Sequence, residues 1–226
     1  MKLLTVAVLF PVAIAFSGND VSSASRKLSP DATNRRSFIS TSAAAVLATG
    51  TAALRPKQSQ AAVSVGGKMQ LGEESIMSPK AHGTSAAPVQ KDLMYGVSNT
   101  LADRICNFNR RFAEQAGYFE STNWEKAVLE ATGPITFYDS VTGKALFVAP
   151  IGRSAENLVK ESEVHGWPSF RDEEVVWENV KVIRNSGETV SVDGTHLGHN
   201  LPDRKGNRYC INLVCIAGQP TTTTSA

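Results

Sequence analysis

The sequence is poor in cysteine: Cys106, Cys210 and Cys215 are the only three, and no two of them form a CxxC pair. This excludes the dense disulfide framework of small secreted domains, and the odd number leaves at least one free thiol. The sequence also lacks an excess of either charge, with 23 Lys and Arg against 21 Asp and Glu. The charge balance therefore gives no indication of a nucleic acid or an anionic membrane surface as a partner.

Apolar runs long enough to form a good membrane span are missing as well. The run over residues 3–15 is too short, and the run over 39–54 is rich in Ala, Ser, Thr and Gly. We interpret residues 1–62 as a targeting region: a signal peptide, a Ser- and Ala-rich segment that resembles a plastid transit peptide, and a second apolar run that follows Arg35-Arg36, as in twin-arginine signals. This order predicts delivery to the thylakoid lumen. Secretion or anchoring through the N-terminal region is the alternative.

The remaining chain divides by composition. Residues 63–91 are Gly, Ser, Pro and Ala with scattered charges and predict a flexible linker in which His82 is solvated. Residues 92–133 predict a helical extension, because apolar side chains recur at steps of three and four from Leu93 to Phe112. Asp92 is the expected cap and Gly117 the expected stop. A second helix is expected over 123–131, and residues 219–226 are expected to be a disordered tail.

From residue 135 the pattern is that of short strands separated by Gly-containing turns, with one helix expected over 155–165. Such strands favour antiparallel sheets over βαβ units. The expected strands cover residues 135–138, 145–148, 175–177, 180–183, 189–192 and 209–217.

The stretch with the highest density of potentially reactive side chains lies near the C-terminus. If residues 208–212 are a strand, then Arg208, Cys210 and Asn212 share one face. His196 and His199 precede this segment in the sequence, and a turn between them and the strand would bring them close to it. A thiol beside a fixed cation and near imidazoles has the surroundings that lower a cysteine pKa and make the thiolate a nucleophile. This predicts nucleophilic chemistry at Cys210.

Three segments in order carry a resemblance to a known family. They read Gly-Trp-Pro-Ser-Phe at 166–170, His-Leu-Gly-His at 196–199 with Asp203 following, and Arg-Tyr-Cys-Ile-Asn at 208–212. Together they resemble the signature of the B-type methionine-R-sulfoxide reductases, over about residues 134–218. The resemblance implies a mainly β fold of two antiparallel sheets, with the N-terminal helices outside.

The resemblance also implies an activity, the reduction of methionine-R-sulfoxide in oxidised proteins. Cys210 would attack the sulfoxide sulfur and take up its oxygen as a sulfenic acid. His199 would supply the proton, with His196 sharing that role. The supporting roles go to four further side chains: Asp203 orients a histidine, Arg208 stabilises the thiolate, Asn212 donates hydrogen bonds and Trp167 receives the methyl group. Phe170 is a candidate for substrate contact or for scaffold.

Two departures from the family shape the expected cofactors and partners. Members that bind a structural zinc use two CxxC pairs, whereas this chain has Asp139, Thr142, Val190 and Asp193 at those positions. We therefore expect no metal and no cofactor. The usual resolving cysteine is replaced by His165, which leaves Cys106 as a possible internal substitute. We expect an external thiol such as thioredoxin to be the electron donor, with oxidised proteins as substrates and a monomeric enzyme.

Two other functions fit parts of the same pattern. His196, His199 and Asp203 have the residue types of a two-histidine, one-carboxylate metal site. A reductase-like domain without zinc ligands or a resolving cysteine is also compatible with an inactive binding or assembly factor of the lumen. Bound metal lost on mutation of His199 would favour the first, and inactivity toward every methionine sulfoxide would favour the second.

Overall fold

A computed structural model describes residues 63–221, and its largest element is a six-stranded sheet. Its six strands are β1 Leu71–Gly72, β4 Ser169–Phe170, β5 Val180–Ile183, β6 Glu188–Ser191, β7 His196–Asn200 and β8 Tyr209–Ile211. They follow the order β1-β5-β6-β7-β8-β4, and all neighbours are antiparallel except β1 and β5, which are parallel. The expectation of two sheets is confirmed, but the larger sheet is mixed rather than antiparallel.

The second sheet is the antiparallel pair β2 Ile135–Tyr138 and β3 Ala145–Ala149. The two sheets share a core of aromatic and aliphatic side chains, in which Phe147 of β3 stacks on Phe170 of β4 with ring centroids 4.4 Å apart. Helical segments cover more of the described residues than strands do, so a mainly β class is not established.

The strands expected from Gly-flanked apolar runs mostly form where predicted, with two exceptions. Val175 makes only a single bridge to Phe147 instead of starting a strand over 175–177. The last strand stops at Ile211 and gives way to a 3-10 turn, Leu213–Cys215, so the predicted strand to residue 217 is too long. The predicted helix over 155–165 is confirmed as α3, Ala155–His165. Ser154 caps it, and Gly166 ends it in the left-handed conformation.

The N-terminal helix is much shorter than its apolar spacing suggests. Helix α1 spans Asn99–Asp103, with Ser98 rather than Asp92 as its cap, and continues as one wide turn, Arg104–Phe108. The chain then makes a further turn, in which the Phe112 amide donates to the Asn109 carbonyl, and Phe108 and Phe112 are 58% and 65% exposed. These two phenylalanines fit the helical period but do not pack on the core. The second helix, α2 Trp124–Glu130, lies within its predicted range.

Residues 63–91, expected to be a linker, instead contribute to the fold. β1 pairs with β5, and the 3-10 turn Glu74–Met77 buries Met77 against Ile183 and Val190. His82, expected to be solvated, is partly buried and lies 2.9 Å from an Asp103 carboxylate oxygen. The segment is ordered because β1 pairs with the edge of the sheet, where its backbone groups gain hydrogen-bond partners. The composition of residues 63–91 does not show this pairing.

Several sequence predictions lie outside the described residues: the targeting region, 1–62, and the end of the tail, 222–226. The start of the tail is bonded, since the amide of Gln219 donates to Gln90 Oε1 over 2.6 Å. Within residues 63–221, no helix has both the length and the apolar character needed to cross a membrane.

Candidate active site

Cys210 lies at the centre of a three-strand arrangement. β8 runs between β7 and β4, and Cys210 is the direct cross-strand partner of both His199 and Ser169. Opposed residues in antiparallel strands have Cβ atoms about 4.5–5.5 Å apart, so the thiol and the imidazole of His199 are neighbours on one face. Tyr209 and Ile211 point the other way and are fully buried, as the alternation of the segment predicts.

A pocket of about 250 Å³ opens on this face. Two groups of residues line it. Trp167, His196, His199, Cys210 and Asn212 were singled out from the sequence. Arg110, Arg111, Phe112, Ala113, Gly198 and Leu201 complete the wall. The structure therefore brings five of the candidate residues to one cavity and adds residues 110–113, which follow the wide turn after α1, as its rim.

The close approach of β7 to β8 depends on Gly198. A Cβ atom at this position would lie 2.0 Å from the carbonyl oxygen of Cys210. Any side chain would therefore push the two strands apart and separate His199 from the thiol. The close approach of the two strands therefore requires glycine at the third position of the His-Leu-Gly-His segment.

Arg208 contacts the thiol directly, with Nη1 2.6 Å from Cys210 Sγ. Even so, burial raises the pKa of Cys210, and the attraction of Arg208 only partly offsets it. The expectation of a lowered pKa at Cys210 is therefore wrong. The pKa is raised because a partly enclosed sulfur loses hydration, which disfavours the thiolate. The charges that neighbour Cys210 in the sequence do not reveal this burial.

The two histidines have different surroundings. His196 is 2% exposed, and its Nδ1 lies 2.7 Å from Glu188 Oε1. Glu188 also accepts hydrogen bonds from Nε and Nη2 of Arg110, which fixes its orientation. The ring of His199 has no hydrogen-bond partner within the described chain. Burial, followed by the proximity of His196, lowers the pKa of His199, so it is a neutral imidazole near pH 7.

Asp203 does not take the histidine-orienting role expected of it. Its two oxygens accept hydrogen bonds from Arg171 over 3.0 and 2.7 Å, which lowers the pKa of the carboxyl group. It lies 3.8 Å from Nε of Arg208, so it can act on the thiol only through the arginine. Glu188 occupies the position beside His196 instead. Asp203 lies beyond the end of β7, in the turn where it bridges to Gly206.

Glu114 is a central residue that sequence reasoning missed. It is 2% exposed, and its carboxylate accepts the amide protons of Leu213 and Val214 over 2.7 and 3.1 Å. Its backbone accepts a hydrogen bond from Trp167 Nε1 and donates one to Asn212 Oδ1. Glu114 thus joins the pocket wall to the turn after Cys210. A single Glu in a polar stretch carries no signal of this role, and Glu188 was missed as well because it stands just before the strand expected over residues 189–192.

Asn212 is occupied at both ends of its amide. Oδ1 accepts from the Glu114 amide over 3.0 Å, and Nδ2 donates to the Leu197 carbonyl over 3.1 Å. It is 2% exposed. Its place is therefore that of a clamp that holds β8 beside β7, rather than a free donor to a substrate.

Two further candidate residues lie away from the pocket. Phe170 is completely buried and packs between Phe137 and Phe147, so it belongs to the scaffold. Cys106 is completely buried on the wide turn after α1 and contacts Cys215, not Cys210.

The residues proposed for the alternative metal site do not converge. Among the described residues, Glu161, His165 and Asp203 are the one group of three with ligand atoms close together. Both of its carboxylates are paired with arginines: Glu161 with Arg153 and Arg171, Asp203 with Arg171. His196 and His199 lack the third ligand that the metal hypothesis requires.

No protein-family model matches the chain, and no curated protein matches it.

Proposed function

We propose that this protein is a divergent B-type peptide-methionine (R)-S-oxide reductase. The observation that carries the proposal is the convergence of Trp167, His199 and Cys210 on one small pocket, with Arg208 against the sulfur. An indole face and the rim residue Phe112 offer apolar contact to a methyl sulfoxide, and sulfur–aromatic contacts of this kind are favourable. The preference for the R form rests on the sequence resemblance alone.

The protonation states suit the chemistry in a specific way. At neutral pH the pair consists of a thiol at Cys210 and a neutral imidazole at His199. When substrate displaces water, the thiol proton passes to the ring nitrogen of His199 and the thiolate forms next to Arg208. His199 then holds the proton that the sulfoxide oxygen needs. One proton thus serves both steps, and no bulk acid is required.

The oxygen transfer balances within the site. Cys210 sulfur attacks the sulfoxide sulfur and gains the oxygen, so it is oxidised by two electrons to a sulfenic acid while the substrate is reduced to methionine. An external thiol then displaces water from the sulfenic acid to form a mixed disulfide, and a second thiol releases Cys210. A thioredoxin-like dithiol supplies both sulfurs.

The test is a single-turnover assay on the purified full-length chain without reductant. The protein is mixed separately with each diastereomer of a blocked methionine sulfoxide, and the methionine formed and the thiol lost at Cys210 are both counted. We expect one methionine per protein from the R form alone, and a sulfenic acid at Cys210 that dimedone traps.

Two other outcomes lead to different conclusions. Product from the S form only would contradict the B-type assignment while leaving the Cys210 chemistry. No product from either form by a folded protein would refute the proposal and favour the binding or assembly factor.

We also propose the thylakoid lumen as the place of action, on the strength of the targeting pattern in residues 1–62. The experiment is to follow a C-terminal fluorescent fusion together with a variant in which Arg35 and Arg36 are both lysine. We expect import into the plastid in both cases but arrival in the lumen for the native sequence only. Secretion of the native fusion would contradict the proposal.

A further inference from the structure

The two remaining cysteines meet in the core. Cys106 Sγ lies 2.7 Å from Cys215 Sγ, although the residues are 109 positions apart in the chain. Non-bonded heavy atoms normally settle about 3.5–4.0 Å apart, and two sulfur atoms need at least as much room. The folded backbone therefore holds the two thiols closer than packing alone favours.

The surroundings of this sulfur pair differ from those of Cys210. Both cysteines are 0% exposed and belong to the main hydrophobic core. Cys106 lies on the wide turn that continues α1, and Cys215 ends the 3-10 turn that follows β8. Among residues 63–221, the one other polar contact of Cys106 Sγ is to the Val214 carbonyl, at 3.8 Å. No imidazole or cation within the described chain is placed to use these thiols in catalysis.

We infer that Cys106 and Cys215 form an intramolecular disulfide that fastens the N-terminal extension to the turn after the Cys210 strand. The two thiols lose two protons and two electrons as the S–S bond forms. The electron acceptor is a disulfide oxidant, either oxidised glutathione, which leaves as two thiols, or a thioredoxin-like disulfide, which becomes a dithiol, by thiol–disulfide exchange.

Burial sets when this reaction can occur. An external disulfide cannot reach sulfurs that are completely enclosed, so exchange takes place while the chain is still folding and the product is then protected. A cross-link that closes so long a loop removes much freedom from the unfolded chain. The inference also makes Cys106 unavailable to resolve a sulfenic acid at Cys210, and it does not depend on the activity proposed above.

The test starts from the full-length chain, refolded in a buffer of oxidised and reduced glutathione. The protein is denatured in acid, alkylated without reductant and weighed by mass spectrometry, and the same is done after reduction. We expect one alkylated cysteine before reduction and three after it. Proteolysis should yield one linked pair of peptides, carrying Cys106 and Cys215, with Cys210 as the alkylated thiol.

Three alkylated cysteines without reductant would overturn the inference, as would a bridge that includes Cys210. The variant Cys210→Ser is the matched control, and it should retain the bridge with no alkylated cysteine before reduction. A second measurement addresses the fastening role: protein that is unfolded, reduced and refolded with reductant should have a Tm about 5–15 °C below that of the bridged protein, whereas the same treatment should leave the Tm of Cys106→Ala/Cys215→Ala unchanged. An equal response of both proteins would contradict that role.

Discussion

The molecule has two thiol environments, one at Cys210 on β8 and one where Cys106 meets Cys215 in the turn after β8. At Cys210 the sulfur is partly buried, touches Arg208 and faces a pocket. At Cys106 and Cys215 the sulfurs are completely enclosed and touch each other. Burial raises the pKa of all three, so the pKa in the resting protein does not distinguish them. What distinguishes them is a cation, an imidazole and room for a substrate.

The largest difference between the two thiol environments is expected when the cysteines of each are substituted in turn and the activity is measured. Cys210→Ser should reduce methionine-R-sulfoxide turnover by at least about 10³-fold, because no other thiol reaches the pocket. Cys106→Ala/Cys215→Ala should keep the first oxygen transfer at the native rate constant. Stopped-flow single-turnover kinetics measure both.

Circular dichroism and thermal unfolding must accompany these assays, since the double variant loses both core sulfurs and is expected to be less stable. If the folded double variant failed to transfer oxygen, the core cysteines would take part in the chemistry and the division between the two environments would be broken.

The next largest effect is expected at the polar support of the pocket, which has no counterpart around the core thiols. Glu188 is 3% exposed and holds His196 and Arg110. Glu188→Gln removes a buried charge that two partners require, and we expect a loss of about 3–5 kcal/mol in the free energy of unfolding at pH 7. Urea unfolding measures it.

The pH dependence gives this prediction a sign. Burial acts to raise the pKa of Glu188, but the hydrogen bonds from His196 and Arg110 outweigh it and lower the pKa below 4.5. The carboxylate therefore stabilises the fold above about pH 4.5, and its contribution shrinks as the pH falls through the folded pKa. The control is Glu74→Gln, which alters an exposed partner of Arg110 and should cost less than about 1 kcal/mol. Equal losses for the two variants would show that burial of Glu188 is not the cause.

The sequence predicts local features of this molecule better than its long-range contacts. α3 is predicted to the residue, and in the structure Ser154 caps its start and Gly166 ends it. The face that carries Arg208 and Cys210 follows from strand alternation. The length of the helix in the N-terminal extension is overestimated, because Phe108 and Phe112 fit its period although both are exposed. Phe112 lies at the pocket rim.

What the sequence could not supply are pairings between distant segments. Glu188 beside His196 requires the register of β6 against β7, and the Cys106–Cys215 contact spans 109 positions. The raised pKa of Cys210 depends on how far the surrounding strands and rim enclose the sulfur. Each of these is set by tertiary packing, which no local pattern encodes.

Glu114 links the two environments, and its titration should affect both. Burial raises its pKa to about 7 against the two amide hydrogen bonds that oppose the shift. A carboxyl group with a raised folded pKa stabilises the protein most below its unfolded pKa of 4.5, and this contribution is lost as the pH rises to about 7. Relative to Glu114→Gln, the native protein should therefore lose about 2–3 kcal/mol of stability between pH 4.5 and 7.5.

Urea unfolding of both proteins across this pH range gives the comparison. Glu120→Gln, a change of an exposed carboxylate a short distance along the chain, is the control and should follow the native curve. A native curve parallel to that of Glu114→Gln would mean that Glu114 is ionised throughout the range.

The smallest effect tests the single contact that sets Cys210 apart from the core thiols. Arg208 stabilises the thiolate, so Arg208→Met should raise the pKa of Cys210 further and slow its alkylation by iodoacetamide on the order of tenfold at pH 8. Arg208→Lys retains the charge and should recover part of the rate. Arg111→Met removes an exposed cation that lines the same pocket without a hydrogen bond to the sulfur, and it should leave the rate nearly unchanged. If Arg111→Met slowed alkylation as much as Arg208→Met, the general positive potential of the pocket would control the thiol, and the 2.6 Å contact would have no special role.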